Sequence, residues 1–152
     1  MSSSSIRIPF AAIVLAMLPA VLDQTILATA LPTIAGSLGE LSDVSWIVTA
    51  YVVAAAATTP LWGKLGDRHG RKTLLEAALA LFLLASDACG LAHSITFLVA
   101  ARMVQGVAAG GLMTIAMASV ADIVEPRQRG RFQGYVAATF AVATIAARSS
   151  AA

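Results

Sequence analysis

The sequence predicts an all-α, polytopic membrane helix bundle, and three observations carry that prediction. The chain is 59% hydrophobic and 12% charged, about half the roughly 25% charge content of an ordinary soluble domain. Its mean hydropathy is +0.84. Uncharged runs recur along it, separated by short basic clusters, and a bilayer core about 30 Å thick takes about 20 apolar residues in a helix. A soluble domain of 152 residues needs more polar surface than ten basic and eight acidic side chains supply.

Four full spans and a partial fifth are expected. The first covers residues 9–31, interrupted by Asp23, with Pro9 in its first turn where no helical partner for an N–H exists. Residues 44–63 form the second, with Trp46 and Trp62 near its two ends as interfacial anchors. The third spans 73–91, with Glu76 and Asp87 near enough to its ends to reach water, and the fourth runs over 95–121 around Arg102. A fifth begins near Phe132 and reaches only to residue 147 before Arg148 and a Ser-Ser-Ala-Ala tail, residues 148–152.

Basic residues fix the expected orientation, because cytoplasmic loops hold an excess of them. Arg7 precedes the first span; Lys64, Arg68, Arg71 and Lys72 follow the second; Arg127, Arg129 and Arg131 follow the fourth. The loops after spans one and three carry none. The tail 1–8 is therefore expected in the cytoplasm of a cell with this protein in its plasma membrane. A signal peptide is an alternative for residues 1–30, given Arg7 and the Ala28-Thr29-Ala30 box, but Asp23 breaks its apolar segment. The net charge of +2 is spread over these loops rather than gathered on one face, so nucleic acid is not an expected partner. Cys89 stands alone and allows neither an internal disulfide nor a metal site.

Asp23 and Arg102 are the ionisable residues well inside apolar segments, and each costs at least ~2.5–3.5 kcal/mol at a helix centre on insertion scales. Asp23 lies eight residues before the outer end of span one, and Arg102 seven after the outer start of span four. At about 1.5 Å per residue both sit ~10–12 Å below the outer surface, so contact is geometrically open to them. Two readings follow. The pair either fixes helix register or forms a polar, proton-exchanging site in a cavity, with Gln24, Thr25 and Gln105 supplying hydrogen-bonding groups. Those three also serve as packing glue between helices.

Between spans two and three the chain reads Gly63-Lys64-Leu65-Gly66-Asp67-Arg68-His69-Gly70-Arg71-Lys72. A phosphate-binding loop needs Lys directly after Gly and Ser or Thr after Lys, which this lacks. A basic anchor accounts for the cations, but not for Asp67 among them or for three glycines suited to a tight turn.

That segment resembles the signature between helices two and three of the major facilitator superfamily, matching at Gly63, Leu65, Asp67, Arg68, Gly70, Arg71 and Lys72. Leu22-Asp23-Gln24-Thr25 with Ala30-Leu31-Pro32 resembles the helix-one motif of its fourteen-helix drug:proton antiporter branch. Arg102, Gln105, Gly106, Gly110 and Gly111 resemble the helix-four motif of that branch. The residues from Trp46 to Tyr51, and Ala121-Asp122-Ile123-Val124 with Pro126-Arg127, are similar to it as well. The resemblance implies the N-terminal part of that fold, with Arg102 as proton-coupling arginine and Asp23 as its cavity-facing acid. It further implies a cytoplasmic gate containing Asp67 and Arg71, with Asp122 as partner of Arg71. The expected function is proton-coupled efflux of small amphipathic molecules, with protons, that substrate and the lipid bilayer as partners and no cofactor or metal.

The sequence departs from the family where the antiporter motif of helix five would continue, reading Ala147-Arg148-Ser149-Ser150 instead. A fragment is therefore expected, lacking the C-terminal helices of a full-length carrier and the repeat interface that would hold substrate. The alternative is a non-transporting remnant, or a membrane module that packs through the Gly106-x-x-x-Gly110 face. An intramembrane enzyme is disfavoured: His69 and His93 have no adjacent nucleophile or metal-ligand set in the sequence.

Overall fold

The structure, a computed structural model, describes residues 11–24 and 41–123 and isolated positions between 127 and 145. Four helices result: α1, Ala11–Gln24; α2, Leu41–His69; α3, Arg71–Gly90; and α4, Ile95–Ile123. Three of them contain stretches long and apolar enough to cross a membrane: Ser45–His69, Arg71–Gly90 and Ile95–Ile123. The expected continuation of the first span to Leu31, the residues 1–8, most of the expected fifth span and the tail 148–152 lie outside the described residues.

The α4 helix is the centre of the bundle. Its buried residues, from Leu98 and Ala101 through Ala108, Ala109, Leu112 and Ile115 to Val120, make it the most deeply buried of the three membrane-length helices, while Phe97, Met103 and Met117 stay exposed. On α1, Ile13, Met17 and Ala20 recur at helical spacing and are buried; Ile13 and Met17 pack with Ala116 and Val120 of α4. The start of α1 therefore lies beside the end of α4, and the two run antiparallel. From α3, Ala78 and Phe82 join Tyr51 of α2 and Ala108, Ala109 and Leu112 of α4 in a second cluster. The outer faces of α2 and α3, with Val52, Val53, Leu61, Leu83 and Leu84, are exposed and apolar, as a lipid-facing surface must be.

Small residues let α2 approach α4. A Cβ added at Gly110 would fall 2.6 Å from the Ala55 carbonyl oxygen, and one at Gly111 would fall 2.6 Å from the Trp62 indole. At Gly106 the obstacle would be the Tyr51 backbone. The residues met, Tyr51, Ala55, Thr58 and Trp62, form one stripe of α2, so the two helices close like a seam. Trp62 Nε1 donates to the Val107 carbonyl at 2.8 Å and Thr58 Oγ1 to the same oxygen at 3.5 Å.

Three expectations change. The second span does not end at Gly63; α2 continues to His69, and the ten-residue segment read as a loop is helix except at Gly70. Only Gly70 takes a left-handed conformation, φ 90°, which a side chain would oppose. Gly63 and Gly66 are instead helical positions facing Thr114 and Ile115 of α4. The Trp62 indole, expected at the end of its span, is drawn onto the glycine face of α4 instead of facing outward. Trp46, 65% exposed near the other end of α2, keeps its place at the surface. At that end Ser94 caps α4, its hydroxyl accepting from the Phe97 N–H at 3.3 Å.

The seam makes a stability prediction. Gly110→Val should destabilise the chain by roughly 1–3 kcal/mol through overpacking. A Cβ at Gly90 meets nothing within 4 Å, so Gly90→Ala should be neutral or stabilise slightly. Reversible unfolding in mixed detergent micelles, followed by circular dichroism, measures both.

Candidate functional site

Antiparallel packing of α1 on α4 brings the last turn of α1 to the first turns of α4, and so Asp23 to Arg102. Arg102 Nη1 is 2.6 Å from Asp23 Oδ2. The same nitrogen donates to Gln105 Oε1 at 2.6 Å, and Gln105 Nε2 donates to Asp23 Oδ1 at 2.9 Å. The three side chains close a ring of hydrogen bonds: the carboxylate accepts from both, and the amide serves once as acceptor and once as donor. Gln105 stands one turn after Arg102 on α4, which is what lets its amide bridge guanidinium and carboxylate.

The ring is withdrawn from its surroundings. Arg102 is 3% exposed and Gln105 0%, while the Asp23 side chain retains 17%. The acid is thus the most accessible member of the ring. Two further helices contribute. The Arg102 guanidinium carbon lies 4.7 Å from the centroid of the Tyr51 ring on α2, within the ~6 Å range of a cation–π contact. Cys89 of α3 points its thiol at Gln105 Oε1, 3.6 Å away. Every described helix therefore supplies a side chain to this cluster. Gln24 is exposed beside Asp23, and Thr25 lies outside the described residues.

A second constellation occupies the opposite end, at the α2–α3 turn. Arg71, the first residue of α3, forms an ion pair with Asp122 near the end of α4 and donates to the Ala118 carbonyl. It also pairs with Asp67 of α2 at 3.4 Å. One guanidinium therefore ties three helices together, using the fork of donors that lysine lacks. Asp67 and Asp122 are exposed, whereas the Arg71 side chain is only 29% so. Lys72 pairs at 3.9 Å with Glu76 along the α3 surface, both exposed, and Leu65 and Arg68 face outward. An open cleft of about 170 Å³ lies beside Arg71, lined also by Trp62, Gly63, Gly66, Thr114, Ile115 and Ala118. Among the described residues no group of three or more His, Cys, Asp or Glu is arranged to hold a metal.

Sequence reasoning did not find Tyr51 or Cys89 as members of the buried cluster. Tyr51 carried a weak signal as an aromatic on the stripe of α2 that faces the glycines; Cys89 carried none, because its side chain meets Gln105 only through the α3–α4 packing.

The geometry predicts a strongly coupled pair. Removing one partner of a buried ion pair strands a charge and typically costs about 3–5 kcal/mol. Asp23→Ala and Arg102→Ala should each approach that loss, whereas the double variant should recover most of it. A double-mutant cycle of unfolding free energies in detergent micelles reads the coupling directly.

Comparison with known proteins shows the family. Residues 13–152 match the family model described as Major Facilitator Superfamily. The chain is 39% identical over 138 residues to the efflux pump FUS6 of Gibberella moniliformis, covering 91% of this chain and 24% of that protein. It is 41% identical over 139 residues to an uncharacterized MFS-type transporter of Mycobacterium tuberculosis, with 91% and 20% covered. It is 38% identical over 133 residues to the multidrug transporter protein MdtP of Bacillus subtilis, with 88% and 25% covered. The chain thus spans about a quarter of the length of the curated relatives it matches. Apolar helices that converge on a sunken ion pair, and a family model matching nearly from end to end, together make this multi-pass membrane protein a member of the major facilitator superfamily.

Proposed function

We propose that the chain is the N-terminal part of a proton-coupled exporter of small amphipathic molecules, in the plasma membrane with its N-terminus in the cytoplasm. The observation that carries the reading is the buried Asp23–Arg102–Gln105 ring inside membrane-spanning helices. Charges so placed are costly and in general mark ion or substrate pathways. The names of the relatives, an efflux pump and a multidrug transporter among them, support export as the direction.

In this reading Asp23 takes the proton. A protonated Asp23 no longer offers a full counter-charge to Arg102, and its Oδ–H becomes a donor where two donors already point. The ring of hydrogen bonds must then rearrange, loosening α1 from α4. At the other end Arg71, Asp67 and Asp122 serve as the cytoplasmic gate. Exposed pairs of this kind are worth about 0.2–1 kcal/mol each, weak enough to break and re-form in every cycle. The buried ring responds to the proton and the exposed relay yields to it; the glycine seam between α2 and α4 stays closed as a rigid body.

Orientation has a direct test. In a Cys89→Ser background, a membrane-impermeant maleimide should label a cysteine at His93 in intact cells, and one at His69 only after permeabilisation. The reverse pattern would place the N-terminus outside.

Transport is tested by expressing the chain, alone and in its longest genomic reading frame, in an efflux-deficient bacterium and following export of a fluorescent cationic dye. Uncoupler-sensitive export is expected from the active form. Asp23→Asn and Arg102→Ala should each reduce it tenfold or more, and Asp122→Asn should reduce it less. Export unaffected by either ring substitution would overturn the assignment. Export by neither form would favour a helix-packing membrane module.

A further inference from the structure

We infer that Tyr51 is a positioning residue for the proton site: the face of its ring holds the Arg102 guanidinium in place when Asp23 is neutralised, and so makes the proton-loaded state accessible. The inference rests on the proton-coupling reading of Asp23 and Arg102 and adds a third helix to it.

Neutralising Asp23 leaves Arg102 with a full charge at 3% exposure, and an uncompensated buried guanidinium is what the low-dielectric interior penalises most. Of the remaining neighbours, Gln105 offers one carbonyl oxygen, at 2.6 Å. The other described neighbour is the Tyr51 ring, 4.7 Å from the guanidinium carbon, whose negative face takes a larger share of the cation once the Asp23 carboxylate no longer competes for it. Arg102 Nε, moreover, is buried without a hydrogen-bond partner. The stack on the ring and the bonds made by Nη1 therefore fix the guanidinium plane, rather than a full set of hydrogen bonds.

The ring is itself held. Tyr51 is 5% exposed, and its backbone lies against Gly106, where any side chain would collide with it. Gly106 follows Gln105 directly, so the close approach of α2 to α4 at this level sets the ring against the guanidinium. Among the described residues, the titratable and charged groups facing the site come one from each helix: Asp23 from α1, Tyr51 from α2, Cys89 from α3 and Arg102 from α4. Among them Asp23 is the single carboxylate.

The sign of the effect follows. A ring that gains on the guanidinium when the carboxylate lets go favours the state with neutral Asp23 over the charged one, so weakening the ring should leave the carboxylate charged to lower pH. A cation–π contact of ordinary strength translates into about half to one pH unit, roughly a three- to tenfold change in proton concentration.

The test follows the carboxyl C=O stretching band by infrared difference spectroscopy on the 152-residue chain in lipid nanodiscs, with the Asp23 band assigned by its loss in Asp23→Asn. Tyr51→Phe keeps the ring face and should titrate like the parent. Phenylalanines carrying one, two and three ring fluorines at position 51 preserve size while draining the ring's negative face, and the midpoint should fall stepwise to lower pH along the series. Tyr51→Leu should shift it furthest. Should Tyr51→Leu fail to fold by circular dichroism, the fluorinated series still decides. A midpoint indifferent to fluorination overturns the role of the ring while leaving Asp23 as the proton acceptor. A midpoint displaced as far by Tyr51→Phe as by fluorination overturns it too, transferring the effect to the hydroxyl. An Asp23 band that does not titrate overturns the proton-coupling reading, and this inference with it.

Discussion

The bundle depends on keeping the Arg102 guanidinium out of hydrocarbon. Four helices contribute to that end: a carboxylate from α1, an aromatic face from α2, a thiol-braced amide from α4 with α3 behind it. A buried ion pair is weak evidence for net stability, because desolvation offsets much of the attraction. What it supplies is register. With Arg102 seven residues into α4, sliding α1 by one turn along its partner would part Asp23 from both of its donors, and no other described group would replace it.

Close approach on the other side of α4 is the complementary constraint. Lipid offers no hydrophobic drive for helices to associate, so they hold through packing and a few polar bonds. Gly106, Gly110 and Gly111 bring α2 near enough for Trp62 and Thr58 to bond to the Val107 carbonyl, and near enough for Tyr51 to lie over Arg102. The seam and the ion-pair site are therefore one design, with adjacent residues Gln105 and Gly106 facing different neighbours. The two ends of the bundle differ in kind: one cluster is sunk between the helices, the other is largely exposed and built on a single arginine.

Much of this was legible in the sequence, for identifiable reasons. The spans followed from apolar length, since a bilayer imposes one length on every helix that crosses it. The family followed from spaced motifs, and the match over residues 13–152 bears that reading out. The equal depth of Asp23 and Arg102 followed from counting residues, because rise per residue is fixed in a helix. Where α2 ends did not follow. Charged residues were read as leaving the helix, yet a helix continues into water whenever its backbone bonds are satisfied and one face still packs, as Gly63 and Gly66 do on α4.

The sequence by itself thus determined the class of protein and the residues that could not rest in lipid alone. These are properties of single helices in a medium of known thickness and polarity. Only the tertiary structure decided which groups meet: that Gln105 closes the ring, that Tyr51 stacks on the guanidinium, that Trp62 turns inward and that Arg71 reaches two other helices. Each depends on the rotation of a helix about its own axis and on its approach to a neighbour. Both are set by side-chain packing between segments distant in the chain, which no local pattern encodes.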